Sequence, residues 1–508
     1  MVGGVLIDMR TNTRLFCIGW LLGLLIVAAA SVSGQTSVPR FDEGECVIPI
    51  PATEKNYRCG LLTVAENRSA NNGRTIRLPI IILKSDNPNP KPDPVLKTLG
   101  GPGASSLKMV RGRYSSPWLK ERDYIIFEQR GTRNAQPALD CPEVDQSTAA
   151  SAKARLDRRT TRTNEVAAAE KCYERLKAAG IDLNAYNSAE SAADIEDLRR
   201  VLNIEKINLY GVSYSARLML DVMRYYPAGI RSVVLESTLP PEVSYDEVGV
   251  AGVVRSLNEM FVDCRGDADC STAYPDLEKE FYAVVARLNK QPLTISKKDP
   301  ATNVQANVLV NGNDFVTWIV DYLFSNEPAA TVDAPYVIHQ AYKGIYVDQF
   351  KRDGGPGLGR SSNAWAMRYS VWCSEEMPFE KMSRIKSQSD KYPGLKGYEV
   401  MSLPYICSIW KVLKAKPIAH QPVSSNIPTL VLGAQYDAYT DPKWGEIVAG
   451  RLTKSFYFEI PWAGHGPAFS VPCVSDLIAE FINAPATSPA ANCVEKTRKQ
   501  FKFTIKKP

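Results

Sequence analysis

Histidine is scarce in this chain. Its 508 residues hold three, His339, His420 and His465, set far apart. Eleven cysteines are present, but no two form a C-x-x-C pair and none clusters with a histidine. These scarcities exclude the usual zinc ligand sets, so no metal and no organic cofactor is expected. Dense basic tracts are also missing. The formal net charge of +6 is spread thinly, which excludes an electrostatic footprint for nucleic acid. No internal repeat is found. With 44% hydrophobic and 23% charged residues, the chain is not a largely disordered one.

What is present begins with residues 1–34. Arg10 and Arg14 precede an apolar run from Leu15 to Ala30, and small residues follow in Ser31-Val32-Ser33-Gly34. This order predicts a secretory signal and a secreted or periplasmic protein. The run is short for a membrane-spanning helix; left uncleaved, it is the chain's one route to a membrane. Cys17 lies inside it. The other ten cysteines fall into neighbouring couples: Cys46 and Cys59, Cys141 and Cys172, Cys264 and Cys270, Cys373 and Cys407, Cys473 and Cys493. An exported setting favours disulfides, and sequential pairing closes the shortest loops. Asn67-Arg68-Ser69 also matches a glycosylation sequon, relevant only in a host that glycosylates exported proteins.

Short apolar strands are predicted at 60–64, 76–83, 95–99, 124–127, 207–210, 233–235, 429–432 and 456–460. Amphipathic helices at 192–202 and 215–226 alternate with some of them. Alternation of this kind predicts an α/β fold with a mostly parallel sheet covered on both faces. The pattern changes after about Tyr245, where helical stretches such as 277–288 and 315–323 take over. The expected organisation is therefore a core in two parts, 35–245 and 421–508, split by a largely helical cap insertion at 246–420.

Several of these strands end in chemically suggestive loops. Strand 207–210 runs into Gly211-Val212-Ser213-Tyr214-Ser215, close to the G-x-S-x-G turn that presents a nucleophilic serine between a strand and a helix. A serine hydroxyl needs a base, a carboxylate to orient that base, and N–H donors where negative charge develops. His465, between Gly464 and Gly466, is the candidate base. Asp437, shortly after strand 429–432, is the favoured carboxylate, with Asp441 and Glu236 as rivals. Gly100-Gly101-Pro102-Gly103 follows a strand, so the N–H groups of Gly101 and Tyr214 are the candidate oxyanion donors. The order Ser213, Asp437, His465 is the order expected of α/β-hydrolases.

Taken together, Gly100-Gly101-Pro102-Gly103, Glu128-Gln129-Arg130-Gly131 and Gly211-Val212-Ser213-Tyr214 resemble the proline iminopeptidase and tripeptidyl aminopeptidase family of α/β-hydrolases. The stretch from Asp437 and Thr440 through His465 to Cys473 and Cys493 resembles the tripeptidyl type especially. Three residues depart from the family pattern: Glu128 for Asp, Ser215 for Gly, and Leu99 where proline iminopeptidases carry His. The resemblance implies hydrolysis of short peptides or arylamides from a free N-terminus; with the predicted signal, the expected function is an exported serine aminopeptidase that acts through an acyl-enzyme. It also implies acidic cap residues that bind the substrate ammonium, for which Glu375 and Glu376 are the candidates. An esterase with the same triad, acting on a small acyl substrate, and a non-catalytic binding protein on the same fold are the alternatives.

Overall fold

The structure is a computed structural model that describes residues 38–70, 72–323, 328–399 and 403–505. The predicted signal at 1–34, Cys17 included, lies outside the described residues. Nine strands form one sheet: β1 (Arg40–Glu43), β2 (Tyr57–Ala65), β3 (Thr75–Leu83), β4 (Val95–Thr98), β5 (Tyr124–Phe127), β6 (Ile207–Val212), β7 (Ile230–Glu236), β10 (Thr429–Ala434) and β11 (Ser455–Ile460). Between β7 and β10 lies a separate hairpin, β8 (Leu293–Lys298) with β9 (Gln305–Val310). The sheet order is β1-β2-β3-β5-β4-β6-β7-β10-β11. Strands from β5 to β11 run parallel, and β1, β2 and β3 run antiparallel to their neighbours.

The parallel strands are buried on both faces, as their near-continuous apolar sequences require. Leu96, Ile125, Leu209, Val233 and Val431 pack on one side. Val95, Tyr124, Ile126, Tyr210, Val234 and Leu430 pack on the other. Helices α1 (Pro142–Lys153), α2 (Arg158–Ala178) and α3 (Ser188–Val201) fill the connection from β5 to β6, and α4 (Tyr214–Tyr225) links β6 to β7. Between β7 and β10 the chain is mostly helical, beginning with α5 (Tyr245–Gly266). The hairpin β8–β9 is an exception that helical periodicity did not anticipate.

Five disulfides join Cys46–Cys59, Cys141–Cys172, Cys264–Cys270, Cys373–Cys407 and Cys473–Cys493, the sequential pairing expected. Each closes a short loop and so restricts the unfolded chain, typically by about 2–4 kcal/mol. The Asn67 amide of the sequon donates to Asp182 at 2.6 Å.

The Glu128-Gln129-Arg130-Gly131 turn acts as an internal brace. Arg130 is fully buried and grips Asp194 of α3 through two nitrogens, each 2.7 Å from a carboxylate oxygen. Its remaining donors reach the backbone carbonyls of Glu66 and Ala185, both at 2.6 Å. Glu128 accepts from the N–H of Ser106 at 2.7 Å, and Gln129 donates to Thr98 and to the carbonyl of Leu99. One turn thus ties β2, α3 and the segment after β4 together. Arg130→Met leaves Oδ2 of Asp194 without its arginine donor while Arg68 still pairs with Oδ1 at 2.7 Å, and is expected to cost about 1–3 kcal/mol in guanidinium unfolding. A loss below about 1 kcal/mol, the range of an exposed ion pair, would remove the brace from this account.

Candidate active site

Ser213 sits at the carboxyl end of β6 with φ 63° and ψ −131°, a conformation costly for a residue with a side chain. Close packing holds it there. A Cβ on Gly211 would lie 2.4 Å from the carbonyl oxygen of Ser215. A Cβ on Gly100 would lie 2.8 Å from that of Ser213 and 2.9 Å from the nitrogen of Tyr214. Both positions therefore demand glycine. Ser215 occupies the second glycine place of the motif, fully buried and with its hydroxyl lacking a hydrogen-bond partner among the described residues. The Ser213 N–H donates to the carbonyl of Glu236 at 2.9 Å, which fixes the turn against β7.

Asp437 and His465 follow the ends of β10 and β11. The Nδ1 of His465 lies 2.8 Å from Oδ2 of Asp437. Asp437 is fully buried, and its other oxygen accepts from the N–H groups of Tyr439 and Thr440 at 3.0 and 2.9 Å. The Thr440 hydroxyl donates to Oδ2 as well. Burial works to raise this carboxyl's pKa. The charge and hydrogen bond of His465, with the Thr440 contacts, outweigh it and hold the pKa below the ordinary value.

The two rival carboxylates are engaged elsewhere. Asp441 caps the helix Pro442–Ala449 and pairs with Arg255 at 3.5 Å. Glu236 is buried, accepting from the Tyr210 hydroxyl at 2.5 Å and from the Ala468 N–H at 2.6 Å.

Ser213, His465, Thr440, Gly100 and Gly101 line one cavity of about 960 Å³ at the carboxyl ends of the parallel strands. This is where open α/β sheets place their ligands. Gly101 has φ 113°, a glycine conformation that turns the backbone toward the cavity. The Tyr214 amide opens α4, and first-turn N–H groups have no acceptor within their own helix. The lining from outside the sheet includes two places in the chain. Thr148, Arg162 and Glu165 come from α1 and α2; Asp321, Trp365 and Trp372 come from the segment between β7 and β10.

Glu375 and Glu376 do not reach this cavity. Glu375 accepts from the N–H and hydroxyl of Ser188, both at 2.6 Å, and Glu376 pairs with Arg217; both are buried. The ammonium-binding role expected of them is corrected on that ground: an arginine and a helix start already use their charge. The carboxylates that do line the cavity, Glu165, Asp321 and Glu399, were missed. Nothing in their spacing marks them, because three separate segments supply them. Lys97 was missed too, although a lysine within an apolar strand was a visible signal.

A family model described as the alpha/beta hydrolase fold matches residues 99–321, and one described as TAP-like protein matches residues 395–494. The chain has the α/β-hydrolase fold. The resemblance read from the motifs is borne out as well. A tripeptidyl aminopeptidase of Streptomyces lividans is 26% identical over 201 residues, covering 37% of this chain and 36% of that protein. This chain thus spans little more than a third of that relative's length. Serine protease Hip1 of Mycobacterium tuberculosis (strain ATCC 25618 / H37Rv) is 21% identical over 437 residues, covering 78% of this chain and 79% of that protein. Among solved structures, a thermophilic esterase from Thermogutta terrifontis aligns with 15% identity and a TM-score of 0.38, over 84% of this chain and 99% of that one.

Asp437→Asn should leave the hydrolase folded and slow the reaction of Ser213 with a fluorophosphonate by about 10³–10⁴-fold, the scale of a lost base-orienting carboxylate. The sign of its pH effect follows from the depressed pKa. The Asp437 carboxylate contributes stability above its unfolded pKa of about 3.9, and that contribution is lost as pH falls through the lower folded value. Acid unfolding of Asp437→Asn should lack this component. An unchanged labelling rate would show that the His465–Asp437 contact does not serve Ser213.

Proposed function

We propose that this α/β hydrolase is an exported serine aminopeptidase that releases short N-terminal units from peptides through an acyl-enzyme. The observation that carries the reading is one cavity lined by Ser213, His465 and Gly101 and also by carboxylates from outside the sheet. Ser213 Oγ attacks the scissile carbonyl while His465 accepts its proton at Nε2. Nδ1 is committed to Asp437, which orients the ring and stabilises the imidazolium. The N–H groups of Gly101 and Tyr214 take the oxyanion, each worth about 10²–10³ in rate where such donors have been removed. The imidazolium then protonates the leaving amine, and water repeats the cycle on the ester.

A free N-terminus is a cation, and the acidic groups that border the cavity are Glu165, Asp321 and Glu399. Glu399 is held by Arg158 and Arg162. Burial raises the pKa of Asp321, while a 2.8 Å hydrogen bond from Tyr439 opposes that shift. A substrate ammonium would stabilise the charged carboxylate further. The segment 246–420 serves as the cap that shapes this lining. Export is supported by the predicted signal and by five disulfides, which persist in oxidising compartments. Among the described residues no helix is long and apolar enough to cross a membrane.

Arylamides of short peptides with a free N-terminus should be hydrolysed, and their N-acetylated counterparts about 100-fold more slowly, the cost of an unpaired site carboxylate. Asp321→Asn and Glu165→Gln should raise KM for the free amine with little change for an acetylated ester. Equal turnover of free and acetylated compounds would point instead to an esterase. Absence of fluorophosphonate label on Ser213 would point to a binding protein.

A further inference from the structure

One charged side chain of the cavity stands where the fold calls for an apolar one. Parallel register aligns Ile126 of β5, Lys97 of β4, Tyr210 of β6, Val234 of β7 and Leu430 of β10 in one row across the sheet. Their side chains share a face, and every member except Lys97 is apolar or aromatic. Lys97 is only 5% exposed, and it lines the same cavity as Ser213 and His465. Its ammonium lies 3.7 Å from the centre of the Tyr210 ring and 5.0 Å from that of Phe469.

Around it the wall is a connected recess. Trp118 packs edge-on against both Tyr210 and Tyr124, and the Tyr124 hydroxyl meets the sulfur of Met109 at 3.8 Å. Phe469, Met109, Tyr124, Ser116 and Lys108 all border the cavity there. Buried ammonium groups are ordinarily paired with a carboxylate. Among the described residues none forms an ion pair with Lys97. Glu236 acts on it through space, but its oxygens are already taken by Tyr210 and Ala468. Burial accordingly pulls the Lys97 ammonium down to about 8, with Glu236 opposing. Two of the other cavity cations, Arg158 and Arg162, differ in pairing with Glu399.

We propose that Lys97 is a specificity residue that binds a carboxylate of the substrate, seated in the recess with Phe469, Tyr124 and Met109. The ligand's identity rests on the peptide-hydrolase reading. A short peptide can supply such a group from its C-terminus or from an acidic side chain, and in either case the carboxylate provides the charge partner that the fold does not.

The test is binding to the full chain carrying Ser213→Ala, which cannot consume its ligand. Three probes are compared by calorimetry: a tetrapeptide with a free C-terminal carboxylate and no acidic side chain, its C-terminal amide, and that amide with one residue replaced by glutamate. One of the two carboxylate probes is expected to bind about tenfold or more tightly than the neutral amide, and the preference is expected to vanish when Lys97→Met is added. Whichever probe shows it identifies the source of the carboxylate. Equal binding of all three probes, or a preference that survives Lys97→Met, overturns the proposal. Should Lys97→Met not fold, the comparison is read on unmutated Lys97 as protection of its amine from reductive methylation, mapped by mass spectrometry. Protection by the preferred acid and not by the amide supports the assignment, and equal protection overturns it. Because the readout is binding, a carboxylate preference in a protein that hydrolyses no peptide would sink the aminopeptidase reading and leave the anion site standing.

Discussion

The site depends on a contact that leaves no room for side chains. Gly100 and Gly211 bring the segment after β4, the end of β6 and the start of α4 within backbone contact of one another. That approach holds Ser213 in a conformation it would otherwise leave, and it sets the Tyr214 amide beside the Gly100–Gly101 backbone. Strain of this kind persists only where surrounding structure over-determines it. Here the determinants are the hydrogen bond from Ser213 to Glu236 and the bonds from Gln129 to Thr98 and Leu99. Glu128 and Arg130, in the same turn, anchor the following loop and α3. The motif that looked like a second signature is therefore the support for the first.

Electrostatics distinguishes two chemically different parts of the cavity lining. On the sheet side the bottom is apolar, broken by Lys97. Among the residues from outside the sheet that line the cavity, Glu399 pairs with Arg158 and Arg162, and Asp321 accepts from Tyr439. The peptide substrate proposed above carries opposite charges at its two ends, and a cavity lined by both carboxylates and a buried ammonium would be complementary to it. Complementarity of this sort selects among ligands more than it adds raw affinity.

The disulfides belong to the same picture. Cys141–Cys172 fastens α1 to α2, and Cys373–Cys407 fastens the helix Trp365–Glu375, which carries Trp365 and Trp372. Both lie in parts of the wall that are not strands of the sheet. Those parts lack the ladder of hydrogen bonds that holds the core, so covalent ties contribute most where the backbone is least constrained.

Local signals carried much of this molecule. The strands of the sheet core were legible because buried parallel strands are short apolar runs between turn residues. Ser213, Asp437 and His465 could be named as candidates because each sits in the loop directly after such a strand. The sequential disulfides followed from loop length. Other features were not legible. Helix α2 is largely polar around its circumference, so its periodicity was weak, and β8–β9 is a short hairpin within a helical stretch that buries only Ile295, Val308 and Val310 on one face. Glu375 and Glu376 looked available, yet burial beside Ser188 and Arg217 turned them inward. Glu165, Asp321 and Lys97 meet in one cavity although they lie on α2, a helix after β9, and β4. Sequence determines a strand, a turn or a loop residue through neighbours a few positions away. Which charges face one another across a cavity is decided by packing between distant segments, and that belongs to the tertiary structure alone.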